Sequence, residues 1–304
     1  METTFIIGAG AIGQVLAAAL TLHGREVVLL RGSTLHQATT VRPIHVTTPE
    51  TAFQAAVRFD SPQQFPALEG PVILTNKSFG NAALAGQLKG KTGHWPLVLL
   101  QNGLEVEQPF LEMGFPSVYR CVLFATSQFA EDGSLRFKPV APSPIGVMKG
   151  DAEVLPELAG RISTPLFPFR AETNIQPVIW KKAIANCVFN SICPLLETDN
   201  GIFHRNAEVM DLARQVIAEC LDIAKSKGVE LELGEVEESV LMISRMSDGQ
   251  LISTYQDILQ KRPTEIDTLN LAVARMAQEM GLANAIPRTR LLGELTKMKS
   301  NINR

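Results

Sequence analysis

Lys182, Asn186 and Asn190 recur at i, i+4 and i+8 within residues 180–190. On a helix, each four-residue step drifts by only about 40° around the axis, so the three side chains make one narrow polar stripe. Val178, Ile179, Trp180, Ala183, Ile184, Ala185, Cys187, Val188 and Phe189 cover almost every other side. A helix apolar nearly all round is expected to be buried. A buried ammonium and two buried amides are costly unless each finds a partner. A ligand with a carboxylate and further oxygens would supply those partners. The bland alternative is a stripe that simply faces water. Against it, solvent faces are usually filled by Glu, Lys or Gln, and Asn is a poor helix former.

A second chemical signature opens the chain. Residues 3–7 read as a buried strand, Gly8-Ala9-Gly10-Ala11-Ile12-Gly13 follows, residues 14–23 are helical in pattern, and residues 26–30 form a second strand. A G-x-G-x-x-G turn between strand and helix is the context of a dinucleotide-binding fingerprint. Gly8 would make the tight turn, Gly10 would let a pyrophosphate approach the backbone, and Gly13 would let helix pack on strand. The helix N-terminus would then face the anion. The alternative is a glycine-rich turn with no ligand.

The end of the second strand bears on which cofactor fits. An acid there would bond the ribose 2′-OH of NAD. The chain instead reads Leu30-Arg31-Gly32-Ser33. The planar fork of Arg31 suits a 2′-phosphate, which favours NADP(H), although a surface arginine at a strand end would read the same way.

These groups need a scaffold. Residues 44–47 and 55–59 read as a small hairpin or an excursion from the sheet. Residues 71–75 and 97–100 read as core strands, followed by Asn76-Lys77-Ser78 and Gln101-Asn102-Gly103. Ligands of doubly wound sheets sit beyond the carboxyl ends of strands, so Lys77 and Asn102 are placed to touch cofactor or substrate. Either could equally serve a turn. Short strands at 119–125, 134–138 and 143–148, with a hairpin turn at Glu131-Asp132-Gly133, add antiparallel pieces. Residues 161–170 carry Pro165 and Pro168 and lead to a boundary.

From residue 174 onward the pattern is helical: a helix through the polar stripe, with Pro177 in its first turn and Pro194 ending or kinking it, then 206–227, 234–246, 248–260, 264–280 and 287–300. Glu265 then falls in a helical first turn, which favours an acid. The expected fold is α/β: an N-terminal Rossmann-like doubly wound sheet with antiparallel additions (1–171, NADP-binding), followed by an all-α domain (172–304, substrate and catalysis).

The 304 residues suffice for two ordinary domains, and 45% hydrophobic with 19% charged residues is a globular balance. A net charge of −3 suggests no nucleic-acid or membrane-surface partner. The four cysteines, Cys121, Cys187, Cys193 and Cys220, include no C-x-x-C pair and look like neither a disulfide framework nor a zinc site. No metal is expected. No apolar run approaches membrane-spanning length and no basic leader precedes the first strand, which suits a cytoplasmic protein. A homodimer is left open.

In order along the chain, the glycine turn, Arg31, Asn76-Lys77, Gln101-Asn102-Gly103, the Lys182–Asn186–Asn190 helix, Asn200-Gly201 and Pro263-Thr264-Glu265-Ile266-Asp267 resemble the ketopantoate reductase (2-dehydropantoate 2-reductase) family over essentially the whole chain. The resemblance implies NADPH-dependent reduction of a 2-keto acid, most simply ketopantoate to pantoate, as in pantothenate and coenzyme A biosynthesis. By resemblance, Lys182 is the general acid and Glu265 holds the substrate hydroxyl. Asn186, Asn190, Asn200 and Ser253 bind substrate. Arg31 and Lys77 contact NADP, and Asn102 touches both ligands. Two departures stand out: Ser191 replaces a frequent proline, and residues 126–131 match poorly. Two other readings compete: a related two-domain hydroxyacid dehydrogenase with another substrate, and a non-catalytic NADP-binding sensor.

Overall fold

The computed structural model describes residues 2–31 and 38–303; Gly32 and Ser33, part of the acid-free strand end, lie outside them. The chain divides into two compact units, one of Met1–Gln101 with Val106–Ile175, the other of Asn102–Glu105 with Gln176–Arg304.

The first unit is built on strands β1 (Thr4–Ile7), β2 (Val27–Leu30), β3 (Thr40–Thr47), β4 (Ala52–Asp60), β5 (Val72–Leu74), β6 (Leu97–Leu99), β7 (Val118–Cys121), β8 (Ala125–Phe129), β9 (Leu135–Pro139), β10 (Ser143–Lys149) and β11 (Phe169–Ala171). Helices α1 (Ala11–Leu22), α2 (Asn81–Leu88), α3 (Gln108–Glu112) and α4 (Leu155–Ile162) cover them. The strands form one sheet in the order β11-β10-β7-β6-β5-β1-β2-β4-β3-β9-β8. Its middle, β7-β6-β5-β1-β2-β4, is parallel. Strands β10, β3 and β8 are antiparallel additions.

Continuous apolar strands such as Phe5-Ile6-Ile7 and Val28-Leu29-Leu30 are buried on both faces, as a parallel sheet with helices on each side requires. Ile6, Leu29, Val57 and Phe59 pack with α1 and α4 residues on one face. Phe5, Ile7, Val28 and Leu30 pack with Ala85, Leu88 and Phe110 on the other.

The expected α/β class and the parallel core agree with this architecture. The hairpin at residues 44–59 is present but is no excursion. It extends the sheet, with β4 parallel to β2 and β3 paired to β9. The expected strand at 119–125 divides: β7 stops at Cys121, and Ala125 begins β8, which pairs with β9 at the opposite edge. Alternation within 119–129 could not reveal that crossing. The proline-broken run before the boundary resolves into the end of α4 and the short β11.

The second unit is helical among the described residues. It contains α5 (Ile175–Leu196), α6 (Ile202–Arg205), α7 (Ala207–Ser226), α8 (Leu233–Met246), α9 (Ser253–Leu259), α10 (Asn270–Glu279) and α11 (Pro287–Ile302). Helix α7 packs against α6, α8, α10 and α11. Asn206 caps α7, its side chain accepting from the Val209 N–H at 3.1 Å. Buried Glu219 of α7 accepts from Thr289 N–H and Oγ1 at 2.7 and 2.8 Å, and so satisfies the first turn of α11.

Three helix limits differ from expectation. Pro194 lies inside α5, which continues to Leu196; Lys299 donates to the Pro194 carbonyl at 2.8 Å. The helix expected over 248–260 starts only at Ser253. The helix expected from 264 starts at Asn270, because Leu269 (φ −115°, ψ −111°) leaves the helical path. Glu265 instead precedes a single 3-10 turn, Ile266–Thr268, so no full helix N-terminus supports its charge.

The glycine turn gives a direct test of this packing. A Cβ on Gly13 would lie 2.0 Å from the Gly8 carbonyl oxygen, a backbone atom, whereas a Cβ on Gly10 would meet nothing within 4 Å. Gly13→Ala is expected to destabilise the protein by about 1–3 kcal/mol or more, and Gly10→Ala by no more than about 1 kcal/mol. Urea unfolding of both variants checks the contrast.

Candidate functional site

In the first unit the site begins where β1 ends. Gly8 takes φ +117°, a conformation that L side chains rarely adopt. Its N–H donates to the Leu30 carbonyl at 3.2 Å, and its carbonyl accepts from Thr75 Oγ1 at 2.8 Å. Thr75, which the sequence offered only as a strand residue, therefore locks the turn; a Cβ on Gly8 or Gly13 would also strike its Oγ1, at 2.8 and 2.5 Å. Gln14 Nε2 donates to the Ala9 carbonyl at 2.8 Å, fixing the turn from the helix side.

Helix α1 starts after Gly10 with no side-chain cap and no acid in its first turn. The first N–H groups of a helix lack intrahelical partners, and the helix dipole adds positive potential there. With open space over Gly10, Ala11 and Ile12 begin a helix whose N–H donors suit a phosphate anion. These residues fit a dinucleotide.

Arg31 leaves the end of β2 with its guanidinium 4.6 Å from the centre of the Phe59 ring. Burial and the neighbouring Arg42 charge hold its pKa below the ordinary arginine value. Lys77 is exposed beyond β5 and precedes the 3-10 turn Ser78–Gly80. Beside it, Asn76 donates through Nδ2 to the Lys77 carbonyl at 2.9 Å, while its buried Oδ1 has no hydrogen-bond partner. Gln101 and Asn81 exchange amide hydrogen bonds of 2.7 and 2.8 Å, and Gln101 also donates to the Asn76 carbonyl at 3.0 Å. This buried ladder holds the loops after β5 and β6 at one level.

Asn102 belongs with the second unit. The Leu104 N–H donates to the Thr268 carbonyl at 2.7 Å. Gly103 takes φ +104°, and a Cβ there would lie 2.4 Å from Thr268 Oγ1. Thr268 in turn donates through Oγ1 to the Glu265 carbonyl at 3.0 Å. Asn102-Gly103 and half-buried Glu265 are thus fastened to one short turn. The sequence placed Asn102 only at the end of a sheet strand.

Helix α5 carries the polar stripe. Ile179, Trp180, Ala183, Ile184, Ala185, Cys187, Val188 and Phe189 are all buried, and Lys182 and Asn186 are half-buried. Asn190 is only 3% exposed. Its Oδ1 accepts from Ser253 Oγ and from the Thr254 N–H, each at 3.3 Å, and its Nδ2 donates to the Asn186 carbonyl at 3.1 Å. The structure therefore brings Asn186, Asn190 and Ser253 together.

Asn200 is held separately. Its carbonyl accepts from buried Ser244 at 2.7 Å, and its Nδ2 donates to Ser247 at 3.2 Å. Its Oδ1 is buried without a hydrogen-bond partner in the chain. Below it, Arg205 hydrogen-bonds Asp199 and holds that carboxyl below the usual range. Ser244, Ser247 and Thr268 were not anticipated; nothing but tertiary contact marks them.

All four cysteines are buried and none forms a disulfide, and burial pushes the pKa of the Cys193 thiol up to about 12. Among the described residues, no group of three or more His, Cys, Asp or Glu could hold a metal ion, and no helix is long and apolar enough to cross a membrane.

Residues 4–148 match the family described as Ketopantoate reductase PanE/ApbA, and residues 174–300 match its C-terminal part, Ketopantoate reductase PanE/ApbA C terminal. The chain is 24% identical over 300 residues to the 2-dehydropantoate 2-reductase of Pyrococcus horikoshii, covering 98% of this chain and 97% of that protein. Its fold is similar to a 2-dehydropantoate 2-reductase from Geobacter metallireducens (TM-score 0.85, 21% identity, 97% of this chain and 99% of that one). It is also similar to a D-mandelate dehydrogenase solved with NADH (TM-score 0.83, 20% identity, 100% of both chains).

The Asn190 contacts generate a stability expectation. Asn190→Ala removes the acceptor for the buried Thr254 N–H and leaves that donor unsatisfied, which should cost about 1–3 kcal/mol. Urea denaturation measures it. A loss below about 0.5 kcal/mol would show that the α5–α9 link contributes little to folding.

Proposed function

Because this chain belongs to the ketopantoate reductase family, we propose that it catalyses NADPH-dependent reduction of a 2-keto acid, ketopantoate to pantoate, as in the biosynthesis of pantothenate and coenzyme A. The observation that carries the reading is the polar stripe of α5, where a half-buried lysine stands one and two turns from amides in a helix otherwise packed in apolar surroundings. Such a stripe is expensive to maintain for folding alone.

In the dinucleotide, the pyrophosphate would be held by the α1 N-terminus and the open backbone at Gly10, and the 2′-phosphate by Arg31, with Lys77 beyond β5 adding positive charge. Bound NADPH would supply the hydride that reduces the keto carbon. The chain itself must orient the ketone and manage the charge that grows on its oxygen. Lys182 handles that charge. Its ammonium polarises the carbonyl and then donates a proton to the alkoxide. Asn186 and Asn190 hold the keto-acid end at a fixed angle, and Ser253, already bonded to Asn190, extends that donor set. Asn200 offers its unpaired Oδ1 to a substrate donor.

Glu265 does not suit the substrate carboxylate, since like charges repel. It suits a donor at the other end, the hydroxyl of ketopantoate. A substrate without that hydroxyl offers Glu265 no donor and loses the hydrogen bond to it, which provides specificity.

Lys182→Ala should lower kcat by a factor on the order of 10² to 10⁴, the range for loss of an acid catalyst, while NADPH still binds. Stopped-flow NADPH oxidation with ketopantoate, set beside a fluorescence titration of NADPH, makes the test. Unchanged turnover would reject Lys182 as the acid.

A further inference from the structure

The chain leaves the first unit after Gln101 and rejoins it at Val106; Asn102–Glu105 between them group with the second unit. This short excursion is conformationally costly. Gly103 takes φ +104° and Glu105 takes φ +57°, a left-handed region that a residue with a Cβ seldom enters. Such a path persists only where its surroundings over-determine it.

Both ends of the excursion are held from the first unit. Asn81, the first residue of α2, is buried, and its Nδ2 donates to Gln101 Oε1 and to the Val106 carbonyl, each at 2.7 Å. Gln101 Nε2 donates to Asn81 Oδ1 at 2.8 Å and to the Asn76 carbonyl at 3.0 Å. An amide nitrogen carries two hydrogens, and both are used in each residue. A carbonyl only accepts, so the Val106 and Asn76 oxygens fix which way round the two amides stand. One side chain of α2 therefore grips the residue before the excursion and the residue after it. Arg120 of β7 repeats the arrangement. It pairs with Glu107, and its Nη2 lies 3.5 Å from the Gln101 carbonyl oxygen. Asn81, Gln101, Arg120 and Glu107 are each at most 9% exposed, so both clasps are shielded from water.

Folding alone asks for less at this place. Asn81, Ala85 and Leu88 make the buried face of α2 at i, i+4 and i+7, and Ala85 and Leu88 pack in an apolar cluster with Val106. An apolar residue at position 81 would complete that face without the cost of burying an amide. What the amide adds is a closed base for the 102–105 loop, and the first residue of that loop is Asn102.

We propose that Asn81 is a positioning residue for the reaction: together with Arg120 it closes the base of the 102–105 loop and so sets the aim of Asn102. This rests on the reading of Asn102 as a residue that touches both ligands. Asn81 acts through Gln101 and Val106 and meets neither ligand itself.

A double-mutant cycle on the full chain tests it. Asn81→Leu and Gln101→Met keep apolar bulk and remove the amide clasp; each is measured alone and combined with Asn102→Ala. Alone, each should lower kcat/KM for ketopantoate with NADPH by roughly 10- to 100-fold, the scale of a misplaced contact. In the Asn102→Ala background each should add less than about 2-fold, because the clasp works through that residue. Equal losses in both backgrounds would overturn the proposal, since they mark general damage, and so would single variants with wild-type kcat/KM. Hydrogen exchange reads the clasp without turnover. The Leu104 amide should exchange at least about 10-fold faster in both variants while the amides of β1 keep their rates; an unchanged Leu104 rate would overturn the clasp. If Asn102→Ala alone leaves turnover intact, the reading of Asn102 and the proposal fall together. A wild type with no turnover of ketopantoate would bring down the reading of the reaction, and the exchange rates would still decide the clasp.

Discussion

The second unit depends on the cost of burying one amide. Asn190 sits among Val188, Phe189, Ser191 and Ile192, all nearly inaccessible. Left alone, its side chain would forfeit several hydrogen bonds to water. Ser253, the Thr254 N–H and the Asn186 carbonyl replace them. That solution ties α9 to α5 and fixes which way the stripe points. Lys182 and Asn186 follow from the same helix geometry, two turns and one turn earlier. Asn190 thus contributes to the fold through partners within the chain, while standing in line with Lys182.

The first unit meets an equivalent constraint with backbone rather than side chains. Gly8, Gly13 and Thr75 occupy a volume in which any added methyl group overlaps a backbone atom or the threonine hydroxyl. This close approach brings α1 down onto β1 and leaves its uncapped N-terminus beside an open glycine. A phosphate site made of backbone N–H groups needs no charged side chain at its centre.

Much of this was legible in the sequence where the physics is local. The glycine spacing reads directly because only glycine tolerates the closest approaches, at Gly8 and Gly13, and the i, i+4, i+8 stripe reads because helical geometry is fixed. The apolar runs of β1, β2, β5 and β6 announced a parallel core. What stayed hidden depends on pairing between distant segments. Strand β8 crosses to the far edge, β11 spans only three residues, and α4 is a single eight-residue helix just before the proline-broken stretch. Asn102 reads as the end of a strand, but the turn that follows it packs on Thr268, and Glu265 reads as a helix start although Leu269 interrupts the helix. Thr75 gains its role only through contact with the end of β1.

Recognition of a hydroxylated 2-keto acid by the stripe on α5 together with the Glu265 carboxylate is the proposal on which the function rests. Its most direct test is the ratio of kcat/KM for ketopantoate to that for 2-ketoisovalerate, the same keto acid without the hydroxymethyl group, with wild-type protein and saturating NADPH. A ratio of about 10² or more is expected, because the smaller substrate offers the half-buried carboxylate no hydroxyl donor. Comparable values, or no turnover of ketopantoate at all, would contradict it.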